Sequence, residues 1–205
     1  MRRRNKSILF AVLAFVLAAT LSCNSRSTDT PDRSANAPGP VPSQKQKLKV
    51  NLAAVEKAIH DRINAERLKH GLPTMRLDAA LTRIARKHSQ DMVARNYFSH
   101  VSPEGYDQAY RYQKNGYACG ITVDGVIRTG AENIAQFPLN TLLSTGAEGT
   151  QRNRYIREKI ATSVVQEWMT SPDERKNILS PTWQREGIGL FLGPEDIVII
   201  TLNFC

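Results

Sequence analysis

Two runs of branched residues near the C-terminus constrain this chain more than any other feature. Residues 187–192 (GIGLFL) and 197–204 (IVIITLNF) are dense in Ile, Leu, Val and Phe, and Gly193-Pro194-Glu195-Asp196 between them is turn chemistry. The spacing predicts an antiparallel β-hairpin. A lone hairpin is marginal in water, so its apolar surface has to be covered by other elements.

Helices upstream can supply that cover. Leu52, Val55, Ile59 and Ile63 recur at three- and four-residue steps, predicting an amphipathic helix over 50–69 that stops before Gly71 and Pro73. Asp78 is placed to cap a second helix running to about residue 96, with Leu81, Ile84, Ala85, His88 and Met92 on its apolar face. A shorter helix is expected over 107–115, a small hairpin over 121–127 around Asp124-Gly125, and a helix over 155–169 striped by Ile156, Ile160, Val164 and Trp168. The expected fold class is α+β, a small antiparallel sheet packed between helices.

The N-terminal quarter belongs to export rather than to this core. Arg2, Arg3, Arg4 and Lys6 precede an apolar stretch of fourteen residues, 8–21, which is shorter than the roughly 20 a membrane-spanning helix needs. Residues 1–22 are expected to be a signal peptide. Thr-Leu-Ser-Cys (residues 20–23) resembles a lipobox, which would make Cys23 a site of lipidation, with Thr20 standing where an aliphatic residue is usual. Removing residues 1–22 lowers the formal charge from +9 to +5, so much of the basic balance is targeting and argues little for nucleic acid. Aromatic platforms and a basic helix, the usual markers of nucleic-acid binding, are not expected from the sequence either. Residues 23–48, rich in Ser, Thr, Asn and Pro, are expected to be a disordered tether, leaving 49–205 as one domain.

Three cysteines occur in all. With Cys23 acylated, Cys119 and Cys205 remain, either as a disulfide formed in an oxidising compartment or as two buried thiols.

The chemistry-bearing residues lie in separate phrases. His100 closes NYFSH, Glu132 sits in GAENIA (residues 130–135), and Glu174 sits in EWMTSPDERKNIL (residues 167–179). A histidine and two carboxylates could share a cleft, binding a cation or moving a proton. Local roles compete with that. Ser171, Pro172 and Glu174 fit the N-cap, N1 and N3 positions of a capping box. Glu132 could fix the loop after Gly130. His88, on an apolar stripe, reads as structural, and His60 and His70 as surface residues, His60 near the edge of its helix's buried face.

Together INAERLKHGLP, ARKHSQDMVARNYFSHVSPEG, GAENIA, EWMTSPDERKNIL and GIGLFLG resemble, in order, a prokaryotic member of the CAP superfamily, also called SCP-like. The resemblance implies an α-β-α sandwich, export, and a cleft that in several members uses two histidines and two acids to hold a divalent ion. His100 and Glu132 match the first histidine and first acid. Glu174 stands where the second histidine is expected, and Ser171 where the second acid is expected. One imidazole and two carboxylates make a hard, weak site, better suited to calcium, magnesium or manganese than to zinc.

Neither a GxSxG elbow nor an HExxH pair is present. The resulting expectation is an exported or envelope-anchored, monomeric module whose cleft binds a lipid, a cell-envelope component or a protein partner without catalysis. The alternative is a divalent-metal-dependent hydrolase using the same cleft. Residues 137–159, with Arg152, Arg154, Arg157 and Lys159, form a candidate basic loop for anionic lipid.

Overall fold

The structure, a computed structural model, describes residues 50–140 and 149–205. The expected signal peptide, the tether and Cys23 lie outside the described residues.

The C-terminal hairpin is the centre of the sheet. Strands β5 (Arg185–Leu192) and β6 (Ile197–Phe204) pair antiparallel from Glu186↔Phe204 to Leu192↔Val198. On the far side of β6 lies β4 (Ala131–Pro138), also antiparallel. GAENIA is therefore mostly strand, not the loop expected from Gly130. Its first half is buried on both faces, Glu132 and Ile134 on one and Asn133 and Ala135 on the other, whereas Gln136 is exposed. The two-residue β1 (Arg76–Leu77) pairs parallel with β5, giving a four-stranded order β1-β5-β6-β4. Strands β2 (Ile121–Val123) and β3 (Val126–Arg128) form the separate small hairpin around Asp124-Gly125.

Helix α1 (Leu52–Lys69) and helix α4 (Gly149–Thr170) cover one face of the sheet, and α2 (Ala79–Ala94) covers the other. The α-β-α sandwich expected from sequence is thus observed. The first face holds the largest core cluster, in which Val55, Ile59, Ile63, Ile156, Ile160 and Val164 pack on Ile188, Ile200 and Leu202, all fully buried. Helix α4 starts at Gly149, earlier than Tyr155, so the basic run Arg152 to Lys159 is helix rather than loop. There Glu158 accepts hydrogen bonds from Arg157 and, across to α1, from Arg62.

On the second face α2 lies unusually close to β5. A Cβ at Gly187 would stand 2.3 Å from the Leu81 backbone, and one at Gly189 would stand 2.0 Å from the Arg86 nitrogen. Only glycine permits that approach. It lets Ser89 donate to the Gly189 carbonyl at 2.9 Å and meet Thr201 Oγ1 at 2.8 Å.

Cys119 and Cys205 form a disulfide, with Cα atoms 5.6 Å apart and a sequence separation of 86. The adjoining chain is also tied by backbone: Gln184 and Arg185 N–H donate to the Cys205 carbonyl, and Cys205 N–H donates to Arg185.

His60 departs from its expected place at the surface. Its Nδ1 lies 2.5 Å from Oε1 of Glu186, a carboxylate fully buried beneath α1. Burial pushes the Glu186 pKa up, against the pull of His60 and Arg67. Arg67 is itself buried and donates to the carbonyls of Pro73, Ile178 and Ser180.

Candidate functional site

Glu132 is the second residue of β4, and its strand position aims its side chain at the face covered by α2. Its relative exposure is 8%, so a carboxylate there needs compensation. Three side chains supply it. His100 Nδ1 lies 3.0 Å from Oε1, Arg111 Nη2 donates to Oε2 at 2.7 Å, and His88 Nε2 stands 3.7 Å from Oε1.

Each partner is held by its own element. Helix α3 (Gln108–Lys114), capped by Asp107, carries Arg111. The guanidinium also donates to the carbonyls of His100, at 3.0 Å, and Tyr106, at 3.1 Å, so it ties the loop bearing His100 to the sheet. His88 projects from the buried side of α2, and its Nε2 lies 3.1 Å from the Ser99 carbonyl. His88 is thus buried, as its place on the apolar stripe implied, but its polar end faces Glu132.

Helix α5 (Pro172–Ile178) forms the opposite wall. It is docked on β4 by amides. Asn133 donates to the Glu174 carbonyl at 3.1 Å, and Asn177 donates to Asn133 Oδ1 at 2.8 Å. Glu174 and the half-exposed His100 line one cavity of about 510 Å³ with Asp107, Gln108, Glu132, Ser171, Asp173 and Asn177.

The expected capping box is not formed. The Ser171 backbone N–H donates to Glu167 in α4, which leaves nothing for Glu174 to accept there. The Ser171 hydroxyl donates instead to the Glu174 carboxylate, and makes no cap bond of its own. Glu174 therefore faces the cleft while held by a neighbour at the helix start.

The two histidines are driven in opposite directions. Burial lowers the pKa of His88 below 6.5, the charge of Glu132 only partly opposing it. For His100 the hydrogen bond to Glu132 outweighs burial, and with the charges of Glu132 and Glu174 it raises the pKa above 6.5. The arrangement holds a neutral imidazole on one side of Glu132 and favours a charged one on the other.

A divalent ion fits this donor set poorly. Both oxygens of Glu132 are already engaged, one by a guanidinium whose fixed charge would oppose a cation at hydrogen-bond range. Among the described residues no group of three His, Cys, Asp or Glu side chains is placed to hold a metal ion. Arg111, Asn133 and Asn177 escaped sequence reasoning. Asn133 and Asn177 lie beside residues already singled out, whereas Arg111 carries no local signal.

The chain belongs to the cysteine-rich secretory protein family, CAP, which matches residues 60–204. It is 34% identical over 139 residues to the uncharacterized protein YkwD of Bacillus subtilis (strain 168), covering 68% of this chain and 43% of that protein. The chain thus spans less than half the length of that curated relative. Among solved structures, an extracellular protein containing a SCP domain from Bacillus anthracis str. Ames is 27% identical. It aligns with TM-score 0.54 over 82% of this chain and 44% of that one. An outer surface protein from Borrelia burgdorferi shares the fold at 17% identity and TM-score 0.56, over 76% of this chain and 94% of that one. These structural neighbours are extracellular or outer-surface proteins, and no helix of the described residues is long and apolar enough to cross a membrane.

Proposed function

We propose that this chain is an exported CAP module that binds a ligand or envelope partner through the cleft between His100, Glu132 and Glu174, without catalysis. The observation carrying this reading is the engagement of Glu132. Its oxygens are committed to His100 and Arg111, so it organises a cleft wall and is poorly free to act as a base. A hydrolase would also need an activated nucleophile. Ser171, the hydroxyl in the cavity lining, donates to Glu174, and Ser99, beside His100 in sequence, accepts from the Val101 N–H.

Residues 1–22 are proposed to direct export, with Cys23 acylated as an anchor. Mass spectrometry of the mature N-terminus checks this, and a free Cys23 thiol would overturn the anchor.

The cleft is tested by native mass spectrometry of the full chain purified without chelator, beside His100→Ala and Glu174→Gln. A co-purifying mass that is lost from both variants supports the reading. Turnover of ester or peptide substrates that disappears in His100→Ala would replace it with a hydrolase.

A further inference from the structure

A second cavity, about 500 Å³, is lined by α2, α3 and the loop that carries His100. His88 and Arg111 line it, so its inner wall backs onto the partners of Glu132. Its outer wall is an aromatic platform. The rings of Tyr106 and Tyr110 stack with centroids 3.9 Å apart and an interplanar angle of 11°, and Lys114 Nζ lies 6.0 and 5.8 Å from the two centroids.

The platform is held in place. Ser102 N–H donates to the Tyr106 carbonyl at 3.0 Å, Tyr106 N–H donates to Ser102 Oγ at 3.2 Å, and Arg111 grips the same Tyr106 carbonyl. A ring docking there therefore meets a preorganised surface.

The charges in the cavity are of two kinds. Asp91 accepts from Arg95 and Tyr97, and Glu104 from Arg95 and Ser102, so their repulsion of an anion is partly offset. Unlike buried Glu132 they are 38% and 47% exposed, and each keeps a lone pair that a hydroxyl can reach. Lys87 and Lys114 come from α2 and α3, and Lys87 donates to Asn115 at 2.6 Å. Among the described residues neither lysine has a carboxylate within ion-pair distance.

We propose that this cavity binds an acidic pyranose: a sugar ring laid on Tyr106, its hydroxyls facing Asp91 and Glu104, and its single negative charge met by Lys87 and Lys114. A polyphosphate would place several charges against the two carboxylates, which disfavours nucleotides. The proposal is independent of the His100 cleft.

The probe is methyl glucuronide, with methyl glucoside as the uncharged control, titrated into the full chain by two-dimensional NMR. The glucuronide is expected to bind about tenfold more tightly, the size of a charge-assisted contact. Shifts should centre on Tyr106, Tyr110 and Lys114. Tyr106→Ala and Lys114→Gln should each weaken binding about fivefold or more, whereas Lys176→Gln on α5 should not. A tetrasaccharide containing glucuronate that binds more tightly than the monosaccharide identifies a polymer as the source. Equal affinity identifies a free sugar. Equal binding of glucuronide and glucoside, absence of binding, or indifference to both platform variants overturns the proposal.

Discussion

His88 and His100 converge on one atom, Oε1 of Glu132: 3.7 Å from the buried ring and 3.0 Å from the half-exposed one. They come from helix α2 and the loop that follows it, and a strand residue distant in sequence joins them.

Their titrations should separate. By NMR, His100 is expected to titrate above 6.5 and His88 below it. The linkage signs then oppose each other. The contribution of His100 is present below about 6.5 and fades as pH rises through its folded value. The neutral state of His88 stabilises above about 6.5 and is lost as pH falls toward its own lowered value, with Asp91 and Glu132 opposing that loss and Arg111 adding to it. Glu132→Gln should lower both midpoints, because Glu132 raises each. A His100 midpoint unchanged in that variant would refute the pairing.

Arg111 should matter more to stability than its place on a seven-residue helix suggests. Its side chain is 12% exposed and faces a carboxylate 3% exposed, so Arg111→Ala strands a buried charge. A loss of about 3–5 kcal/mol is expected in urea denaturation. Arg111→Lys should recover only part, since a single ammonium cannot also hold the His100 and Tyr106 carbonyls. A loss under 1 kcal/mol, the range of surface pairs, would contradict the buried network.

Reduction of the Cys119–Cys205 bond should lower stability by about 2–5 kcal/mol, and the double variant to Ala should match the reduced protein. An unchanged melting temperature on reduction would show that the crosslink contributes nothing.

Acid should weaken the cap of α2. Burial alone would raise the Asp78 pKa, but the Leu81 amide, the Tyr117 hydroxyl, the Ala80 amide and Arg185 together hold it below 3.8. A depressed carboxylate stabilises above its unfolded value and loses that contribution as pH falls through the folded one. Asp78→Asn should flatten the acid limb of the stability curve. An unaltered limb would mean the cap carries no pH dependence.

Much of this was legible beforehand because periodicity reports burial. The stripes on α1 and α4, the Asp78 cap and the terminal hairpin all rest on patterns of one residue type at fixed spacing. What escaped depends on partners distant in sequence. Strand β4 escaped because its ENIA run puts two polar residues before two apolar ones, with no period-two alternation, and all four are buried, Glu132 and Asn133 included. Arg111 could not be singled out, since nothing local distinguishes it from Arg157, which pairs with its own neighbour Glu158. Glu174 stayed open between the cleft and a capping box, because the short-range capping rule cannot see that the Glu167 carbonyl takes the Ser171 amide.

Replacing Gly189 by Ala tests the support beneath the site. A methyl there would strike the Arg86 and Ala85 backbone, so a loss of about 1–3 kcal/mol or more is expected by urea denaturation. Wild-type stability in that variant would show that the helix can give way.

The missing side chains of Gly187 and Gly189 act as a shim of minimum thickness between strand and helix. They set the height at which His88 hangs over Glu132, although neither glycine touches the site. The tolerance of the polar cluster is therefore fixed two strands away from Glu132, across β6, by two hydrogen atoms. A substitution there would press α2 away from the sheet, and His88 with it, while every charged group in the cluster stayed chemically intact.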